Sequence, residues 1–410
     1  MKKRALVLAG LIASTSAFGA AYKIPEQSTR SMGTAAAYFA SADAADAAYY
    51  NPAGMSWLGD KNNILIETGA KYIYLPRIKF DGYTVIKSPA DAQTTKEYFL
   101  IPYLHLVSKN LGKVRWGLSI VTPYGLSKRW SSFPQTMTAR EFTLGIIETN
   151  LTVAYQVDKR LSLGAGLRIG YATGKIKLYS PQLPLIYDIK MKGNSSLTPG
   201  FLLSASLNLT DNLNISTIYR SEIDYKIEGE MTGSFGTNSV TGTTGDVTVV
   251  TPAEWRLGIS YKPLDTTVID VTYEKTFWGQ YKQLDFNFQD PTLEAVFGRP
   301  IDKYWHDTNT IRVGIRHRLN EEFTVMGGIA YDETPIPQRT LGFELPDSNG
   351  WIYSVGCLWN PNKRTEIGLA YLYVIKIDRN VYTPPNENGI NGKFSDMEAH
   401  LLNVSLGYKF

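Results

Sequence analysis

From Asn62 to the carboxy terminus, apolar residues recur at every second position. In the last segment Leu402, Val404, Leu406, Tyr408 and Phe410 alternate with Leu401, Asn403, Ser405, Gly407 and Lys409. Leu161, Leu163, Ala165, Leu167, Ile169 and Tyr171 oppose Ser162, Gly164, Gly166, Arg168, Gly170 and Ala172 in the same way. Phe323–Tyr331 and Trp255–Tyr261 repeat the pattern. Successive side chains of a strand point to opposite faces, so each segment predicts one apolar face and one small or polar face. Alternation holds for about ten residues at a time, the length a tilted strand needs to cross a bilayer. Strands of a soluble sandwich are nearer about five or six.

The connections sharpen this. Short polar turns fall at Lys109–Lys113, Asp158–Arg160, Thr210–Asn212, Lys262–Thr266, Asn320–Glu322 and Asn360–Arg364. Long segments fall between them, at Phe80–Thr95, Ser127–Glu141, Tyr179–Asn194, Glu228–Val250, Leu284–Trp305, Asp332–Gly350 and Asp378–Asp396. Strict alternation of short and long is the asymmetry of an outer-membrane barrel, with tight periplasmic turns and long external loops. The fold class expected is all-β: a fourteen-stranded antiparallel transmembrane β-barrel over residues 59–410, both termini periplasmic. Trp116, Tyr155, Tyr219, Trp278, Trp359 and Tyr408 suit aromatic girdles. Tyr408-Lys409-Phe410 gives the aromatic terminus that such barrels commonly carry.

The stretch Glu26–Met55 breaks the pattern. It is mostly Ala, Ser and Asp, with too thin an apolar stripe for a helix face and no alternation. Asn51-Pro52-Ala53-Gly54 then punctuates it. Small residues pack closely against an enclosure, so residues 21–58 are expected to form an N-terminal plug, or hatch, in the barrel lumen. Pro52 fixes the backbone, Ala53 permits close approach and Asn51 satisfies backbone groups, so Asn51, Pro52 and Ala53 are the expected latch and gate. A mobile tail and an ordinary turn are the bland alternatives.

Before the plug, Lys2, Lys3 and Arg4, the run Ala5–Ala13 and the small residues around Gly19–Ala21 have the order of a secretory signal peptide, expected at residues 1–20. Its loss lowers the formal charge from +4 to +1, so the mildly basic balance gives no reason to expect nucleic acid. Cys357 is the only cysteine, and no intrachain disulfide is possible. Pro102 interrupts Phe99–Val107 and Pro123 follows Trp116–Thr122; each removes one ladder donor, so the wall is expected to be weakest there.

Catalytic chemistry is thin. Hydrolysis needs a positioned base, yet His105, His306, His317 and His400 stand in no G-x-S-x-G or H-E-x-x-H arrangement. No metal or cofactor is expected. A general porin needs a charge-lined aqueous lumen; Arg168, Arg256, Arg312 and Arg316 face inward by alternation, but so do many Gly, Ala and Ser. Porin remains the alternative, and a lipid-modifying enzyme the remoter one.

These residues resemble one family over nearly the whole chain after residue 20: the FadL-type outer-membrane transporters of long-chain fatty acids and other hydrophobic molecules. The likeness rests on Asn51-Pro52-Ala53-Gly54, Thr122-Pro123-Tyr124-Gly125-Leu126, Tyr219-Arg220-Ser221-Glu222, Thr251-Pro252-Ala253-Glu254-Trp255, and Ala330–Pro337 followed by Leu345-Pro346-Asp347. The resemblance implies capture at the external face, an apolar interior pocket, and lateral exit through the wall near Pro102 and Pro123. It implies a monomer in outer-membrane lipid whose partner is a long-chain fatty acid or another apolar molecule. The loop after the fifth strand offers Leu183, Leu185 and Ile186 for ligand contact. The loop Glu228–Val250, mostly Gly, Thr and Ser, offers no apolar half; Leu293, Ala295, Val296 and Phe297, or Trp130, Phe133 and Met137, are the candidates to replace it. Arg168, Arg312 and Arg316 are the head-group candidates, with ion pairing to Asp43 and Asp46 as their other reading.

Overall fold

A computed structural model describes residues 21–59, 61–83, 88–182 and 186–410. The expected signal peptide, 1–20, lies outside the described residues. Fourteen antiparallel strands close into a barrel. They are β1 (Leu65–Leu75), β2 (Glu97–Val107), β3 (Val114–Lys128), β4 (Glu141–Gln156) and β5 (Leu161–Ser180). β6 (Thr198–Thr210), β7 (Leu213–Arg220), β8 (Glu254–Leu264), β9 (Thr267–Thr276) and β10 (Thr308–Arg318) follow. β11 (Phe323–Asp332), β12 (Gly350–Asn362), β13 (Thr365–Lys376) and β14 (Glu398–Lys409) complete the wall. Closure is the ladder of β1 on β14, from Leu65↔Lys409 to Tyr74↔His400.

The alternation in the sequence is the alternation of the wall. On β14, Leu402, Val404 and Leu406 stand exposed outward while Leu401, Asn403 and Ser405 are buried inward. Exposed leucines, valines and isoleucines recur on strand after strand, a surface that only lipid would cover favourably. Closing the ladder on itself gives each strand two neighbours, as a spanning sheet requires, with the shortest pairing that of β2 on β3.

The wall continues outward beyond the membrane on one side. Tyr187–Ser195 pairs with the upper half of β5, and the hairpin Ile223–Phe235/Asn238–Thr251 pairs on that strand in turn. Opposite, a four-stranded cap joins Lys79–Tyr83, Ala92–Gln93, Arg379–Val381 and Asn391–Ser395.

Residues 21–58 fill the lumen, nearly all of them buried. Their helices are short: α1 (Thr29–Gly33), α2 (Ala47–Tyr50) and a 3-10 turn over Pro52–Trp57. Ser28 caps α1 by accepting from the Ser31 N–H at 3.1 Å. Segments this short are not stable alone; the wall holds them.

Candidate functional site

Asn51-Pro52-Ala53 lies against β5, β6 and β7. The Asn51 side-chain oxygen accepts from Gly54 N–H (3.2 Å) and from Ser206 Oγ (3.0 Å), and its amide donates to Ser216 Oγ (3.1 Å). Ala53 N–H donates to Ser204 Oγ at 3.0 Å, and Ser162 Oγ donates to Ala53 O at 2.8 Å. A Cβ at Gly164 would stand 2.6 Å from Ala53 N and 3.0 Å from the Pro52 carbonyl carbon, so this approach requires glycine in the wall. The contact is all neutral, and the ladder behind it is complete.

The second contact has a different character. β1 and β2 share eleven register pairs, Leu65↔Val107 to Leu75↔Glu97, whereas β2 and β3 share four, Leu104↔Ile120 to Val107↔Gly117. Among the described residues Tyr98–Tyr103, which contains Pro102, therefore has no register partner on β3, while Pro123 sits in a register shift of β3 against β4 between Val121 and Tyr124. The first residues of the plug pair with β3 beside this gap. Ile24 N–H donates to Pro123 O and Gly125 N–H to Tyr22 O, both at 2.8 Å, around an antiparallel bridge of Lys23 with Tyr124. Gln27 Nε2 adds a bond to Thr122 O at 2.8 Å. Above the gap the strands meet again through Thr95 N–H to Arg129 O, 3.0 Å.

Charges clamp this arm. Lys23 Nζ lies 2.7 Å from Glu274 and 3.1 Å from Glu254, and Tyr124 OH donates to Glu254 at 2.7 Å. Arg256 closes the set at 2.5 Å from Glu274 and 3.0 Å from Glu254. The arginines expected to meet a head group belong to the same polar interior. Arg168 pairs with Glu148 at 2.6 Å and Arg220 shares that carboxylate. Arg312 donates to Ala35 O at 3.0 Å, with Glu274 at 3.7 Å. Arg316 meets Asp43 at 2.8 Å and the Ser41 carbonyl at 3.1 Å. None of Arg168, Arg312 and Arg316 borders either cavity described below. Leu183 and Leu185 lie outside the described residues, and Ile186 is exposed away from both cavities.

Two plug carboxylates titrate in opposite directions. Enclosure in the lumen works against ionisation of both, although the Asp43 side chain is about half open to solvent. At Asp43, Arg316 and Arg30 outweigh it and bring the pKa to about 2. At Asp46 burial wins over Arg30 and raises it to about 6; one carboxylate oxygen there has no partner among the described residues.

Two apolar cavities adjoin above the plug. The outer one, about 670 Å³, is bordered by Phe133, Met137, Val296, Phe297, Phe343 and Ile390. Leu293 and Trp130 sit beside it in buried clusters rather than on its surface. The inner one, about 90 Å³, is bordered by Tyr22, Leu126, Ile227, Val249, Tyr281 and Trp305. Tyr22 packs edge-on to Trp278 with ring centroids 4.9 Å apart, so the arm that pairs with β3 reaches the inner cavity through this ring. The segment Glu228–Val250 differs from expectation: Met231, Val247 and Val249 turn inward to this cavity, while its Gly, Thr and polar residues lie mostly on the other face. The arm itself went unread, because three residues are too few to display a period.

The family described as "Outer membrane protein transport protein (OMPP1/FadL/TodX)" matches residues 10–410. A long-chain fatty acid transport protein of Escherichia coli is 25% identical over 100% of this chain and 98% of its own length. Outer membrane protein P1 of Haemophilus influenzae is 25% identical over 99% and 98%. Among solved structures, a Pseudomonas aeruginosa FadL homologue superposes with a TM-score of 0.82 at 19% identity, covering 95% of this chain and 99% of that one. The toluene transporter TodX of Pseudomonas putida gives 0.67 at 16%, covering 97% and 99%. The chain belongs to the outer membrane protein transport protein family, OMPP1/FadL/TodX.

Proposed function

We propose that this protein is a passive outer-membrane transporter of hydrophobic molecules, long-chain fatty acids or similar compounds. They enter the outer cavity, reach the inner one, and leave sideways between β2 and β3 when the arm Tyr22–Ile24 withdraws. One observation carries the reading: Tyr22 borders the inner cavity, and the same arm pairs with β3 beside the gap between β2 and β3. At about 90 Å³ the inner cavity is well below the roughly 300–1,000 Å³ of ordinary ligand sites, so a molecule enters it only as its boundary moves. Moving the arm enlarges the cavity and opens the gap in one step. Asn51-Pro52-Ala53 stays as the anchor of the plug, and Pro102 and Pro123 mark the wall opening. Residues 21–58 act as the hatch, 59–410 as the barrel and 1–20 as a signal peptide. The closed single-chain ladder supports a monomer in outer-membrane lipid, with both barrel ends on the short-turn, periplasmic side.

No covalent step is part of this reading. His105 Nδ1 does lie 2.9 Å from Ser119 Oγ, but both are fully buried and Nε2 faces Gln27 O at 2.8 Å, so the pair fastens the plug to the wall. A porin would need a free aqueous path where the plug stands. Uptake of a labelled fatty acid and of a labelled aromatic hydrocarbon by a strain lacking its own transporter tests the proposal. Faster entry of at least one with this protein is expected; no acceleration of either, or large steady ohmic conductance from the purified barrel, would overturn it.

A further inference from the structure

The two cavities share few polar side chains. Lys303 and Glu344 border both, and their ammonium and carboxylate are 2.6 Å apart and largely buried. Lys303 is held in place from its backbone: its N–H donates to Lys282 O at 2.6 Å and its carbonyl accepts from Thr340 Oγ1. The pair thus stands at the neck that a molecule crosses from the outer cavity to the inner one. Just inside, the Trp305 indole N–H is buried and borders the inner cavity, with no hydrogen-bond partner among the described residues.

We infer that this neck is a head-group station for uncharged amphiphiles, such as a long-chain alcohol, and that Glu344 excludes ionised carboxylates from it. The inference rests on the transport reading above and narrows its substrate class. A lone lysine in an apolar neck would attract a fatty-acid carboxylate. Here that charge is already neutralised, so an arriving carboxylate meets Glu344 as well and adds an unbalanced negative charge in a poorly hydrated place. A carboxylate also only accepts hydrogen bonds, whereas the neck presents donors on Lys303 and Trp305 and an acceptor on Glu344. A hydroxyl both accepts and donates, and it satisfies these groups without net charge.

Other cations near the cavities do not replace Lys303. Lys175 and Lys192 also border the inner cavity, but they face one another in register on the sheet face opposite Ile176 and Met191, and Lys175 is bound to Glu141 at 2.7 Å. Glu230 is the register neighbour of Lys192 on the next strand. Arg299 is exposed beside the outer cavity, where water screens it.

The test compares dodecanol with dodecanoate at pH 8, each radiolabelled, bound to the purified barrel against the same detergent without protein. Wild type is expected to bind dodecanol at least about tenfold more tightly. Glu344→Gln leaves Lys303 positive and should shrink or reverse that ratio by about tenfold or more. Lys303→Gln with Glu344→Gln should abolish the dependence on charge, and it reads the same quantity if the single variant fails to fold. Trp305→Phe should weaken dodecanol more than dodecanoate. A wild type that prefers dodecanoate, or a ratio unmoved by Glu344→Gln in a heat-resistant barrel, overturns the inference and leaves transport standing. Binding of neither ligand counts against the transport reading itself.

Discussion

Two of the contacts between plug and wall, at Asn51-Pro52-Ala53 and at Tyr22–Ile24, differ in physics. At Asn51-Pro52-Ala53, short neutral side chains bond serines of β5, β6 and β7, and the ladder behind them is complete. At Tyr22–Ile24 the plug supplies main-chain bonds that the wall lacks, and a buried lysine with two glutamates holds it there. Releasing the first contact loosens the plug inside an intact barrel. On the proposed reading, releasing the second opens the gap between β2 and β3 toward lipid and joins it to the inner cavity. An anchor is built from neutral bonds that cost little to keep; a seal is built from charges whose separation is expensive and can therefore be all-or-none.

Removing the charge at the seal gives the largest effect. Lys23→Met leaves Glu254 and Glu274 with arginine partners and the Tyr124 hydroxyl but no ammonium, and breaking a buried pair costs about 3–5 kcal/mol. Deuterium exchange at the Ile24 and Gly125 amides should rise at least a hundredfold while that of Ala53 and Gly54 is unchanged. Equal rises at both places would erase the distinction. Gly164→Ala should do the reverse, loosening Ala53 and Gly54 by about 1–3 kcal/mol and sparing Ile24, because the new methyl meets plug backbone. Asn51→Ala is milder, about 1–2 kcal/mol from three lost bonds partly replaced by water. The barrel should stay heat-resistant while uptake falls and latch amides exchange faster; parallel loss of barrel stability with unaltered exchange would make the stretch a folding turn.

The smallest effect is that of pH on the plug. Asp46 has its pKa raised, so its protonated form is favoured in the docked plug, and docking weakens as pH rises from about 4 through 6. Asp43, with its pKa lowered, adds stability that is present above about 4 and lost only toward pH 2. Of these two carboxylates only Asp46 changes charge between pH 4.5 and 7. Plug amides, corrected for intrinsic exchange, should be better protected at pH 4.5, and Asp46→Asn should flatten the difference.

The strands were legible because each side chain reports its own face: a period of two survives reading one residue at a time. The Asn51–Gly54 turn and the two prolines were legible for a similar reason, since their backbone chemistry is local. Partnerships were legible only in part. Arg316 does pair with Asp43, the ion-pair reading given for it, but that Arg168 would find Glu148 depends on which strands become neighbours and at what register. Lys303 and Glu344 are 41 residues apart on two loops with no period, so no spacing linked them. The hairpin Ile223–Thr251 was obscured by its own composition, because glycine and threonine on one face diluted the apolar count of the other.

The account stands on the arm being a removable strand. Lys23 and Tyr124 form an antiparallel pair flanked by the hydrogen bonds of Ile24 and Gly125, the narrow kind with Cα atoms about 4.5 Å apart. That spacing accepts a disulfide. Lys23→Cys with Tyr124→Cys, made with Cys357→Ser, locks the arm when oxidised and frees it when reduced. Uptake by the oxidised form should fall to that of cells lacking the protein, with ligand still bound in the outer cavity, and reduction should restore it. Equal uptake by the oxidised and reduced forms would contradict the account and put the way out elsewhere.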